Sequence, residues 1–231
     1  MANRKPWLGL AACVAILGAS STATAQEDHP LGTVVTVPAI RVEPHPSLDH
    51  VGNWEANLQI LQHFAARPAT DDAAVIADIQ AMGSKAPPPL LMELGSRLAH
   101  TDLEQGRYWF MKGLVQTKLS LLACKDSSAN AAYQIVGIVV AQGWQDRNNP
   151  LIQPDNHLKG YAQVLNSDDF ELSVSPWWAC SHGMNSMLWA MQEPDKIRSL
   201  SEWYVGDEDY AVLRDDYVAS LRGFLIQNGA L

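Results

Sequence analysis

Apolar residues recur at steps of three and four through TDLEQGRYWFMKGLVQTKLSLLACKD, the stretch from Thr101 to Asp126. Tyr108, Met111, Val115, Leu119 and Leu122 stack along one helical face at that spacing. Phe110, Leu114 and Leu121 widen the face, leaving Glu104, Gln105, Lys112 and Gln116 as the side chains expected to meet water. A helix apolar over most of its circumference must be packed on several sides. This one, at about 102–124, is therefore expected at the centre of the fold. Thr101 and Glu104, three apart, predict a capping box at its start.

The same period organises the flanks. Trp54, Leu58, Leu61 and Ala65 form one face of a first helix, within a helical part beginning near Ser47. Thr70 is the expected cap of a second helix, with Val75, Ile76, Ile79 and Met82 inward and Gly83 as its stop. Pro87-Pro88-Pro89 permits a third helix to start, because proline in the first turn forfeits no hydrogen bond. That helix reaches His100 through Leu91, Leu94 and Leu98, and folds back on the central helix as a hairpin.

Ser128 is placed to cap ANAAYQIVGIVVAQGW, apolar nearly all round; residues 129–141 suit a buried helix or strand, and length favours helix. Gln142 to Asp155 reads as a loop, followed by a short helix through Leu158, Tyr161 and Leu165. Ser175-Pro176 opens a helix with Trp177, Cys180, Met184, Met187 and Met191 on one inward stripe, stopped by Pro194. A helix over Ile197–Tyr204 and one from Asp207, with Tyr210, Leu213, Tyr217, Leu221 and Phe224 inward, complete an all-α fold of antiparallel hairpins.

One hairpin has a known pattern. Leu94-Gly95, Asp102, Gln105-Gly106 and Trp109-Phe110-Met111-Lys112-Gly113 resemble the Sel1-type relative of the tetratricopeptide repeat. The resemblance spans about residues 91–113, one unit, with Gly106 and Gly113 where that family prefers alanine. It implies a helical hairpin of the kind used in protein-binding scaffolds. No second copy recurs at a fixed period, and stacking normally takes about three repeats.

The start of the chain changes the picture. MANRKPWLGLAACVAILGASSTATAQ has a basic n-region at Arg4 and Lys5, an apolar run from Leu8 to Gly18 and the small-residue site Ala23-Thr24-Ala25. This is the pattern of a secretory signal at residues 1–25, too short in its apolar run for the ~20 residues of a membrane span. Leu10-Ala11-Ala12-Cys13 also spells a lipoprotein box, but leaves an h-region of only about five residues. Residues 26–46, proline-rich and without helical period, read as an extended leader, its prolines confining any strand to an edge, or as a disordered tail, ahead of a single helical domain at 47–231.

Cleavage would take Cys13, Arg4 and Lys5 with it, changing the formal net charge from −9 to −11. Such a chain is repelled by nucleic acid and anionic lipid and favours a basic protein partner. Cys124 and Cys180 remain, at apolar positions and outside any Cys-x-x-Cys motif; in an oxidising compartment they are expected as a disulfide.

Chemistry is sparse. His29, His45, His50, His63, His100, His157 and His182 are scattered without metal-ligand spacing, so no metal site or cofactor is expected. There is no nucleophile elbow, Walker loop or dinucleotide fingerprint. Asp71-Asp72, Asp168-Asp169 and Asp215-Asp216 fall at helix starts or on solvated faces.

The densest constellation is Trp177 to Asn185. Trp178, Ser181, His182 and Asn185 are expected to line one exposed edge as a binding patch, with Trp177 inward. The expected function is an exported, non-catalytic interaction protein: an inhibitor or immunity protein against a secreted toxin or hydrolase, or an envelope scaffold. The alternative is a periplasmic enzyme with His182 as base and Asn185 as its helper.

Overall fold

Helix α1, Trp54–Ala65, starts where Asn53 accepts the Ala56 N–H, and buries Trp54, Asn57, Leu61 and Phe64. The computed structural model describes residues 52–231, without the side chains of 145–147. The signal expected at 1–25 with its Cys13, the leader expected at 26–46 and the residues up to 51 lie outside the described residues. Within them the fold is helical: α2 Asp72–Met82, α3 Pro88–Leu98, α4 Leu103–Leu122, α5 Ala131–Arg147, α6 Pro154–Ser167, α7 Trp177–Cys180, α8 Met184–Gln192 and α9 Asp207–Gln227. Among the described residues there is no strand beyond one isolated bridge between Cys124 and Tyr204. No described helix is long and apolar enough to cross a membrane.

Helix α4 is central: it touches α3, α5, α6, α7 and α9. Its pairing with α3 is the closest in the molecule, because three glycines remove the side chains that would hold the backbones apart. A Cβ on Gly95 would lie 2.2 Å from the Phe110 nitrogen, one on Gly106 2.5 Å from the Ala99 Cα, and one on Gly113 2.7 Å from the Pro88 carbonyl oxygen. Contacts that short do not exist, so α3 and α4 pack at this distance only with glycine at these positions.

Burial goes further round α4 than its polar residues suggest. Lys112 and Gln116, expected in water, are buried. The Lys112 ammonium bonds the Asp169 carboxylate at 2.6 Å and lies over the Trp109 ring, while the Gln116 amide donates to the Glu171 carbonyl at 2.5 Å. Both long side chains thus reach the 167–172 segment, which covers that side of the helix. The start of α4 is also displaced by one residue. Asp102 is the cap, accepting from the Glu104 and Gln105 amides, and Thr101 lies in the preceding turn.

Two other expected caps fail for related reasons. A single 3-10 turn, Ala69–Asp71, precedes α2, and Thr70 spends its hydroxyl on Asp71. Asp126 takes the place of Ser128, whose amide and hydroxyl both donate to the Asp126 carboxylate.

The interior polar group with most partners is Arg97. Fully buried on α3, it donates to Glu93, to Asp72 and to the carbonyls of Phe64, Arg67 and Pro68. It thereby satisfies carbonyls at the end of α1, which a helix cannot satisfy itself, and ties them to the start of α2.

The stretch expected as a loop from Gln142 is helical to Arg147. Asn148 then turns the chain in a left-handed conformation, and buried Asn149 donates to the Ser96 carbonyl and hydroxyl on α3. The expected helix over Ile197–Tyr204 is only a 3-10 turn at Leu200–Glu202. Its backbone is taken elsewhere: Lys125 donates to the Trp203 carbonyl and Val205 to the Ala123 carbonyl. Of the residues expected inward on α9, Leu221 is buried, whereas Leu213 and Phe224 are exposed.

Candidate functional site

The helix expected to run unbroken from Ser175-Pro176 to Pro194 is two helices. Helix α7 is one turn; Ser181 to Gly183 leave the helical path, and α8 restarts at Met184. Gly183 permits the break, since a Cβ there would lie 2.3 Å from an Asp126 carboxylate oxygen. In exchange, the 126–128 turn caps α8 from across the fold. The Ser128 hydroxyl accepts the Met184 N–H at 2.6 Å, and the Asp126 carboxylate accepts the Asn185 N–H at 2.7 Å.

This restart rotates α8 away from the expected register. Ser186 and Ala190 face the core. Met184, Met187, Leu188 and Met191 face outward, each between 42% and 63% exposed, where the three methionines were expected inward. The apolar stripe of α8 is therefore on its solvent side, and its core side is small and partly polar.

On a third side, Asn185 and Trp189 line a crevice of about 120 Å³ with Lys125, Asp126, Cys180, Glu202 and Trp203. That volume is below the ~300–1,000 Å³ of a typical small-molecule site. Cys180 lines it and is bonded to Cys124, with Cα atoms 5.2 Å apart, a disulfide that joins the end of α4 to α7. Its aromatic wall is Trp203, edge-on to Trp177 and Trp189 at centroid distances of 5.3 and 5.1 Å. The Arg198 guanidinium stacks 4.4 Å from the Trp189 ring centroid and pairs with Glu193 and Glu202. Hydrogen bonding from Arg198 holds the Glu202 carboxyl below its ordinary range.

The four expected patch residues do not share an exposed edge. Trp178 is 0% exposed and stacks on Trp54 at 6.2 Å. Ser181 is also buried, accepting the Trp54 N–H at 2.8 Å and donating to the Trp178 carbonyl. His182 is half-buried against the Trp54 ring at 4.3 Å. Burial lowers its pKa, against the opposing pull of the Glu55 carboxylate. Asn185 alone is exposed, on the crevice side. The reason is α1: Trp54 needs a partner surface, and Trp178, Ser181 and His182 supply it. Cys124 and Cys180 are paired as expected.

Two acid–base candidates elsewhere are occupied. Asp72 binds Arg97 and His100, and Asp169 binds Lys112 and the Tyr108 hydroxyl. The hydrogen bond from Lys112 lowers the Asp169 pKa, while burial and the bond to Asp169 push Tyr108 up to about 12. Among the described residues no three His, Cys, Asp or Glu side chains converge as metal ligands, and no hydrogen bond joins His182 to Asn185. Sequence reasoning missed the outward face of α8. Its one local signal was Gly183 inside a helical pattern.

Comparison of the chain with protein-family models, with curated proteins and with solved structures finds no match.

Proposed function

We propose that this is a non-catalytic helical interaction protein that docks on a partner protein through the outward face of α8. The inverted polarity of that helix carries the reading. Met184, Met187, Leu188 and Met191 recur at i, i+3, i+4 and i+7, the anchor spacing of a helix that enters an apolar groove. Methionine suits such a role, because its flexible thioether adapts to irregular apolar surfaces. The net charge of −9 favours a groove with a basic rim.

The hairpin of α3 and α4, whose residues resemble a Sel1-type unit, supports the same class. Residues 1–25, read as an export signal, would put the protein in the periplasm or outside the cell. There it would act as an inhibitor or immunity protein for a secreted toxin or hydrolase, or as an envelope scaffold. The test is affinity capture from the envelope fraction of the native host, with wild type beside M187E/M191E. Wild type should retain a partner that the double variant loses at unchanged melting temperature. Equal capture of the same proteins by both would refute the docking face.

A further inference from the structure

The fold sorts the methionines by exposure. Met92 and Met111 are fully buried and Met82 is partly buried, as apolar packing requires. Met184, Met187 and Met191 lie instead on the outward face of α8, at 63%, 42% and 56% exposure. Leu188 completes that face, so a plain hydrocarbon side chain of similar size fits there. Three of the four apolar anchors are nevertheless thioethers. Both cysteines among the described residues are held in the disulfide, which leaves these thioethers as the most accessible reduced sulfur.

We propose that Met184, Met187 and Met191 are a modification site, where a peroxide converts the thioethers to sulfoxides and turns the docking face from apolar to polar. The chemistry closes on the oxidant alone. A sulfur lone pair takes one peroxide oxygen, and the S–O bond forms as the O–O bond breaks. Sulfur is oxidised by two electrons, and the second peroxide oxygen leaves as water with both of the peroxide's protons. Each sulfoxide replaces a flexible apolar tip by a polar one, which is how oxidation disrupts methionine-rich interfaces. With all three converted, Leu188 alone of the four anchors stays apolar.

The helix keeps its place. Its core side is Ser186 and Ala190, and Ser128 and Asp126 hold its start through backbone N–H groups, so no thioether positions it. Oxidation therefore acts on the surface and leaves stability unchanged. As a regulation of the docking face, the release of a partner rests on the docking reading; the oxidation site itself does not.

The experiment treats the full chain with hydrogen peroxide and follows each methionine by peptide mass spectrometry. Met184, Met187 and Met191 should oxidise at least about tenfold faster than Met92 and Met111. The oxidised protein should melt as the untreated one does and elute earlier from a hydrophobic-interaction column. It should also lose what untreated wild type captures from the envelope fraction. Methionine sulfoxide reductases specific for the two epimers should restore both properties. M184L/M187L/M191L, whatever its starting behaviour, should be unmoved by peroxide in elution and in capture. Oxidation of Met92 or Met111 as fast as the three would overturn the proposal. So would sulfoxides on all three with elution and capture unchanged, or a peroxide shift of equal size in the triple leucine variant. An elution shift without any capture by untreated wild type would keep the modification site and refute the docking reading instead.

Discussion

Gly95→Ala should destabilise the protein although alanine is the better helix former by about 1 kcal/mol. The added Cβ would meet the backbone nitrogen of Phe110, which no rotamer change relieves. Overpacking of about 1–3 kcal/mol or more should outweigh the propensity gain. Gly137→Ala is the control: it is also helical, with nothing within 4 Å of its Cβ site, and should stabilise by roughly 0.5–1 kcal/mol. Paired chemical denaturation reads both; destabilisation of equal size at the two sites would refute the close approach of α3 and α4.

His157 makes the fold sensitive to acid. Its ring packs near Phe110 and Trp144, its Nε2–H donates to the Leu151 carbonyl at 2.6 Å, and burial lowers its pKa. The folded chain therefore holds it neutral, while the unfolded chain protonates it near the ordinary value of about 6.5. Its contribution is complete above that value and is lost as the pH falls from there towards the lowered folded one. His182 adds a contribution of the same sign in the same window. His157→Gln keeps a donor and removes the titration. Melting temperatures between about pH 8 and pH 5 should fall less in this variant than in wild type. An identical fall would remove His157 from the account.

Helices were legible where the apolar period was long, as in α3 and α4, because that period reports burial directly. Their caps were not, because neighbouring hydroxyl and carboxylate groups compete for the same amides. Asp102 prevailed over Thr101, and Asp126 over Ser128. The break before α8 and the loss of a helix at 197–204 were invisible, since both depend on Asp126 and the 123–125 backbone arriving from a distant part of the chain. A face read through Gly183 as one continuous helix then put Trp178 outside and the methionines inside, the reverse of what is observed.

Trp178→Ala should accordingly cost about 3–5 kcal/mol, as for a core aromatic. A calorimetric loss under about 1 kcal/mol would contradict its burial. The disulfide was legible because Cys124 and Cys180 stand alone at apolar positions once Cys13 is assigned to the expected signal. Reducing it reopens a loop with a sequence separation of 56 and should lower stability by about 4 kcal/mol on the chain-entropy model. Two reactive thiols in the native oxidised protein would contradict the pairing.

Taken together, a helical body built round α4 holds one short helix with its apolar side outward. The body explains itself through burial: α3 and α4 interlock through glycine, Arg97 ties α1 to α2, and the disulfide fixes α7. Helix α8 does not, because its Ser186 and Ala190 contribute little apolar area to the core while four large apolar side chains stay in water. Its fold-level position makes sense if a partner covers that face.

Site-specific photo-crosslinking in the native host tests this most directly, with the photoreactive residue at Leu188 on α8 and, as control, at the still more exposed Val212 on α9. The account predicts a discrete adduct with one protein from position 188, abolished by Met187→Glu in the same chain, and none from position 212. Adducts of equal pattern from both positions, or none from 188, would contradict it.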